Sequence, residues 1–194
     1  EGTSRVIFTD TAGYLNVTPN CEIGPLPNPP VPTQCPSGQD NVEGLTYRTY
    51  DTRTWYPDSY SPANSAEFRE LVEDFRKTQF QIGESIESDL DQKGNGINPH
   101  SNLNSDQDLY LGIFEGYIDA PETGEYTFAI DGDDAIELLI DGEVITGFYG
   151  THSTCDCTRY QGTVSLEKGP HQIELRFHEA FGYEAFRLYW KAPS

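Results

Sequence analysis

From Leu109 onward the chain is dominated by short apolar runs with a period of two. Tyr126, Phe128 and Ile130 alternate with Thr127 and Ala129. Ile173, Leu175 and Phe177 alternate with Glu174, Arg176 and His178, and Phe186, Leu188 and Trp190 alternate with Arg187, Tyr189 and Lys191. A strand sends successive side chains to opposite faces, so each run has one face to bury. Turn signals separate the runs at Pro121 to Gly124, Asp131-Gly132, Lys168-Gly169-Pro170 and Gly182. Asp141-Gly142, between Ile136–Ile140 and Val144-Ile145, is a strong hairpin signal. One-sided strands at this spacing predict an all-β fold, a two-sheet antiparallel β-sandwich.

Composition narrows the partners such a sandwich can take. Among 194 residues, 12 are Lys or Arg and 32 are Asp or Glu, for a net charge of −20. Phosphate backbones and anionic lipid both call for a basic face, so neither nucleic acid nor a lipid surface is an expected partner. No apolar run approaches the roughly 18 residues of a membrane span, so no membrane insertion of this domain is expected. Neutral ligands and cations remain. Twelve Tyr and 10 Phe, within a 36% hydrophobic content, suffice for a packed core.

Residues 1–42 show no apolar period and are rich in proline from Ile23 to Pro36. They read as an N-terminal extension packed on a domain of residues 43–194. Cys21, Cys35, Cys155 and Cys157 lack zinc-type spacing and point to disulfides in an oxidising, extracellular compartment. An extension without a core needs fastening, so Cys21 and Cys35 are expected to pair with Cys155 and Cys157, in an order that sequence does not assign. A Cys21–Cys35 bridge is the alternative. Asn64 with Glu67, then Phe68, Leu71, Val72 and Phe75 at helical spacing, predict a short surface helix. The polar stretch 84–108 reads as a long loop.

The densest chemical motif is Asp131-Gly132-Asp133-Asp134, at a strand end. Adjacent carboxylates repel, so they belong either in solvent or on a cation. Neither Asp131 onward nor Asp89 onward fits a calcium loop of the EF-hand type, because the later oxygen ligands and the closing Glu are missing. A glycosidase needs two carboxylates opposed across a sugar ring, which sequence neighbours rarely achieve. There is no G-x-S-x-G and no H-E-x-x-H, and His100, His152, His171 and His178 lack a nucleophile signature. The chain is not expected to be an enzyme.

The run from Glu115 to Phe128, then Asp133-Asp134, then Leu138 to Gly142, resembles the PA14 domain pattern, and Glu174 to Phe177 through Leu188 to Trp190 resembles that family's last hairpin. The cysteines and the extension are similar to those of its lectin branch, which includes the GLEYA-type adhesins and flocculins. That resemblance implies a cis peptide joining Asp133 and Asp134 and one bound Ca²⁺ held by their carboxylates. It adds the Glu179 side chain and the main-chain carbonyls of Phe181 and Tyr183. Yeast members have Asn where this chain has Glu179, and the alternative for Glu179 is an ion pair with Arg176 or Arg187. Calcium takes about 6–8 oxygens, which leaves places for two vicinal sugar hydroxyls. Specificity is then expected from the segment Tyr149 to Arg159, chiefly Tyr149, His152, Asp156 and Arg159. Phe181 and Tyr183 would pack on a sugar face, and the loop around 92–107 would border the mouth. The implied function is a Ca²⁺-dependent carbohydrate-binding (lectin) domain of a cell-surface adhesin, meeting glycans or small saccharides at an extracellular cell surface or wall. The alternative is a non-catalytic PA14 module of a secreted glycoside hydrolase or toxin.

Overall fold

The computed structural model describes residues 44–53, 60–87, 90–94 and 108–193. The extension 1–42 with Cys21 and Cys35, His100 and most of the 92–107 loop lie outside the described residues. The described chain forms strands β1 (Leu45–Asp51), β2 (Gln81–Glu87), β3 (Asp91–Gly94), β4 (Tyr110–Ala120), β5 (Gly124–Asp133), β6 (Ala135–Ile140), β7 (Glu143–Phe148), β8 (Tyr160–Leu166), β9 (Gly169–Glu179) and β10 (Glu184–Lys191), with one helix, α1 (Ser65–Phe75). They pair as a six-stranded sheet, β2-β1-β4-β9-β6-β7, facing a four-stranded sheet, β3-β10-β5-β8, with every pairing antiparallel.

The period-two runs bury the faces that their pattern predicts. Tyr126, Phe128 and Ile130 of β5 and Phe186, Leu188 and Trp190 of β10 pack against Phe114 and Ile118 of β4, Leu138 of β6, and Leu175 and Phe177 of β9. Each large apolar side chain taken from water contributes about 1.5–3 kcal/mol, and this inter-sheet layer supplies most of them. Strand β4 is buried on both faces because α1 covers the outer one. Phe68, Leu71, Val72 and Phe75 of the helix meet Tyr50, Leu111, Ile113 and Ala135 there. The helix starts as its capping pattern requires: Asn64 Oδ1 accepts the Glu67 N–H at 3.1 Å, and Glu67 Oε2 accepts the Ala63 N–H at 2.9 Å.

The reading of 84–108 as one loop is corrected by β2 and β3, which occupy part of it. Among the described residues both are edge strands, held to a neighbour along one side by backbone hydrogen bonds. β3, Asp91-Gln92-Lys93-Gly94, has no apolar residue to announce it and owes its conformation to pairing with β10.

The polar face of β9 is not solvated either. Beneath the C-terminal end of α1 an unbroken chain of charge pairs runs Glu84–Arg48–Glu115–Arg76–Glu174–Arg176–Glu137, each contact 2.6–2.8 Å, and ends where the Tyr149 hydroxyl donates to Glu137 at 2.9 Å. Glu115, Glu137, Glu174 and Arg176 are all buried.

Candidate functional site

Three connections cross from one sheet to the other at the same end of the sandwich. β5 passes into β6 through Asp134 alone, β7 into β8 through residues 149–159, and β9 into β10 through residues 180–183. Strand register brings them together: Asp133 pairs with Ala185, Ala135 with His178, Ile136 with Phe148, and Ile130 with Tyr160. The single-residue corner is the Asp133–Asp134 cis peptide that the resemblance implies.

The corner is a receiver of backbone N–H groups. Asp134, 1% exposed, accepts the His152 N–H on Oδ1 at 2.8 Å, and the Ala180 and Phe181 N–H groups on Oδ2 at 2.8 and 3.4 Å. Asp133 takes a backbone hydrogen bond from Thr154, and Asp131 Oδ1 takes the Cys155 N–H at 2.9 Å. One carboxylate thus ties both crossover loops to the corner, and its two neighbours tie down one of them. Asp108 completes the clamp on the second loop by accepting the Gly182 N–H at 2.8 Å. A trans peptide directs its C=O opposite to its N–H, so the Phe181 carbonyl points away from Asp108.

The electrostatics are those of acids crowded out of water. Burial, then the charge of Asp134, pushes the Asp133 carboxyl up to about 6. Burial also raises Asp134, against the lowering effect of its backbone donors. Glu179 is fully buried, and burial, then the charges of Asp134, Glu184, Asp133 and Asp108, push it up to about 10. Both of its carboxylate oxygens are buried without a hydrogen-bond partner among the described residues. The ion pair considered for Glu179 is absent, because Arg176 is held by Glu137 and Glu174, and Arg187 by Asp91 and Asp156. An orphaned carboxylate beside two further buried ones is the donor chemistry that a hard cation fits. Among the described residues no three His, Cys, Asp or Glu side chains gather closely enough to hold a metal by themselves.

The other expected residues fall into two groups. Phe181 and Tyr183 are 43% and 41% exposed on the loop beside the corner, and Arg159 is exposed at the end of the 149–159 connection. Tyr149 packs with the α1 cluster and donates to Glu137, while the His152 ring stacks on Phe148, which stacks on Tyr160. His178 is buried edge-on to Tyr60, and burial pushes it down to about 3. The expected cross-links to the extension are corrected: Cys155 and Cys157 bond to each other. Asp156 between them has φ 49°, the left-handed turn that brings the two side chains onto one side, and neither sulfur is left for Cys21 or Cys35. Sequence reasoning missed Asp108, gave Asp131 no role beyond the acidic motif, and considered Arg187 only as a partner for Glu179. Asp131 was within reach, since period two places it on the same face of β5 as Asp133.

Fold and site together define a β-sandwich whose sheet-crossing loops enclose an acidic, desolvated corner at one end. The PA14 domain model matches residues 43–194, and the chain belongs to the PA14 domain family. The PA14 sugar-binding domain from an RTX adhesin superposes with a TM-score of 0.59 at 16% identity, over 76% of this chain and 89% of that one. An anti-sigma factor domain-containing protein from Clostridium clariflavum gives 0.58 at 19% identity, over 78% of this chain and 42% of that one, so the match spans less than half of that protein. The Epithelial Adhesin 9 A domain from Candida glabrata, in complex with Galβ1-3GlcNAc, gives 0.53 at 15% identity, over 78% and 82%. At such identities the likeness is one of fold. No curated protein matches the chain.

Proposed function

We propose that this chain is a calcium-dependent carbohydrate-binding domain that acts at an extracellular cell surface as the ligand-binding part of an adhesin. The observation that carries the reading is Glu179: a fully buried carboxylate with both oxygens unpartnered among the described residues, beside the buried Asp133 and Asp134. The carboxylates of Asp133, Asp134 and Glu179 would hold Ca²⁺ together with the carbonyls of Phe181 and Tyr183. When bound, the ion supplies neutralising charge and open positions for neutral vicinal hydroxyls, which suits a ligand-binding face on a chain of net charge −20. The chain's own part is positional. Asp134 fixes the loops of residues 149–159 and 180–183 against each other, and the exposed rings of Phe181 and Tyr183 offer apolar faces to the C–H side of a sugar. The sugar-binding RTX adhesin domain and the adhesin domain solved with a disaccharide share this fold, which supports the reading.

A glycan array probed with calcium and again with chelator tests it. Binding to defined glycans that chelator abolishes is the expected result. Silence under both conditions would leave a non-catalytic scaffold module in its place.

A further inference from the structure

We propose that Arg187 is a positioning residue for ligand discrimination, and that it acts by setting the pose of the 149–159 loop. The assignment rests on the sugar-binding reading and adds to it a residue outside the cation's donor set.

Arg187 sits on the outward face of β10 and is 9% exposed. Its Nε is 2.8 Å from Asp91 at the edge strand β3, and its Nη1 lies 2.5 Å from Asp156 and 3.7 Å from Asp131. One guanidinium therefore reaches three carboxylates on three separate segments. Only one of those segments is a loop. Asp156 is the middle residue of the Cys155–Cys157 ring, which fixes its backbone relative to both sulfurs. A pull on Asp156 is thus a pull on Cys155, whose N–H is held by Asp131, the same aspartate that faces Arg187. His152 and Thr154, four and two residues before Asp156, are hydrogen-bonded to Asp134 and Asp133. The loop is hence braced at both ends of its contact with the corner: by the proposed cation ligands on one side and by the Asp131–Arg187–Asp156 set on the other. A fork of five donors spans such a set, whereas the point charge of lysine does not. Ligand discrimination would depend on this brace, because hydroxyls held by a cation select diol geometry alone and the remainder of the sugar is read by the loop.

The test uses the full 194-residue chain and its Arg187→Gln, Arg187→Lys and Asp156→Asn variants. Calcium affinity is measured by calorimetry, and affinities for mannose, fucose, glucose and galactose are measured at saturating calcium. Backbone hydrogen exchange follows the His152, Thr154 and Cys155 amides. In Arg187→Gln, calcium affinity should stay within about twofold, the sugar affinities should fall at least tenfold or change rank, and the three amides should exchange faster. Asp156→Asn should match it, the double variant should add nothing, and Arg187→Lys should recover only part. If Arg187→Gln lowers the melting temperature while sugar ranking and amide exchange stay as in the wild type, the residue is merely structural and the proposal is overturned alone. Silence of the wild type across the sugar panel overturns the sugar-binding reading and this assignment with it.

Discussion

Asp134 holds two loops with one carboxylate, and that division of labour decides what its replacement does. An asparagine keeps one acceptor and turns an NH₂ toward either the His152 or the Ala180 N–H, so one buried donor loses its partner. Leaving such a group unsatisfied costs about 1–3 kcal/mol. Asp134→Asn should therefore melt lower than the wild type even in chelator, while calcium no longer raises its melting point and calorimetry shows no heat with sugar. Melting together with the wild type in chelator would show that the two loops do not depend on it. Glu179 behaves in the opposite sense, because its oxygens hold nothing. Its carboxyl ionises near 4.5 in the unfolded chain and is pushed up to about 10 by burial and neighbouring acids in the folded one. The folded state binds the extra proton, so stability is lost as pH rises from the lower value toward the higher. At pH 8 in chelator Glu179→Gln should melt above the wild type, and with saturating calcium below it. This crossing separates a cation ligand from a strut, since a strut would be missed under both conditions.

Among the elements, the β6–β7 hairpin shows how far pattern carries and where it stops. Asp141 and Gly142 have φ of 49° and 81°, the left-handed pair that a two-residue turn of this kind requires, and Asp-Gly announces it. The partner of that turn was not announced. His171 Nδ1 lies 2.6 Å from Asp141 Oδ2 and Nε2 lies 2.8 Å from the Glu167 carbonyl, while Asp141 Oδ1 accepts the Gln172 N–H at 2.9 Å. Both ring nitrogens can donate only when the imidazole is protonated, and the hydrogen bond to Asp141 accordingly raises the His171 pKa. A raised folded value means that the contribution is fully present below the unfolded value of 6.5 and is lost as pH climbs through the folded one. His171→Gln should show a smaller fall in melting temperature across that interval than the wild type does, measured by calorimetry in matched buffers. Equal slopes would remove the pair from the account. The helix and the β5, β9 and β10 runs were legible because a single apolar face writes a single period. β2 and β3 were not, because edge strands owe their form to a neighbour's backbone, and Glu174 and Arg176 look solvated in sequence yet lie under α1.

At the scale of the molecule, loops far apart in the chain close one site because three sheet crossings share an end, and no local pattern states that. The Asp133–Asp134 pair and Glu179 were reached through resemblance to a family, whereas the role of Arg187 emerges only once β3, β5 and β10 lie side by side, and that of Asp108 only once the 180–183 loop folds over it. The corner as folded carries buried carboxylates whose repulsion opposes folding, with Asp133 and Glu179 both pushed above their ordinary values. A cation that binds there and not to the unfolded chain shifts the folding equilibrium by its own occupancy. At a free concentration one hundred times the dissociation constant, that shift is about 2.7 kcal/mol. For a chain of this size each kcal/mol moves the midpoint by about 2–4 °C, so calcium should raise the melting temperature by roughly 5–10 °C. Chelator should reverse the rise. Magnesium should substitute poorly, since it sheds water reluctantly and demands a tight octahedron that carbonyls on a loop do not offer. Because the shift grows with the logarithm of calcium, a titration of melting temperature also returns the affinity. A curve that stays flat from chelator through millimolar calcium would show that the corner takes no cation, and that Glu179 is instead kept neutral by a proton.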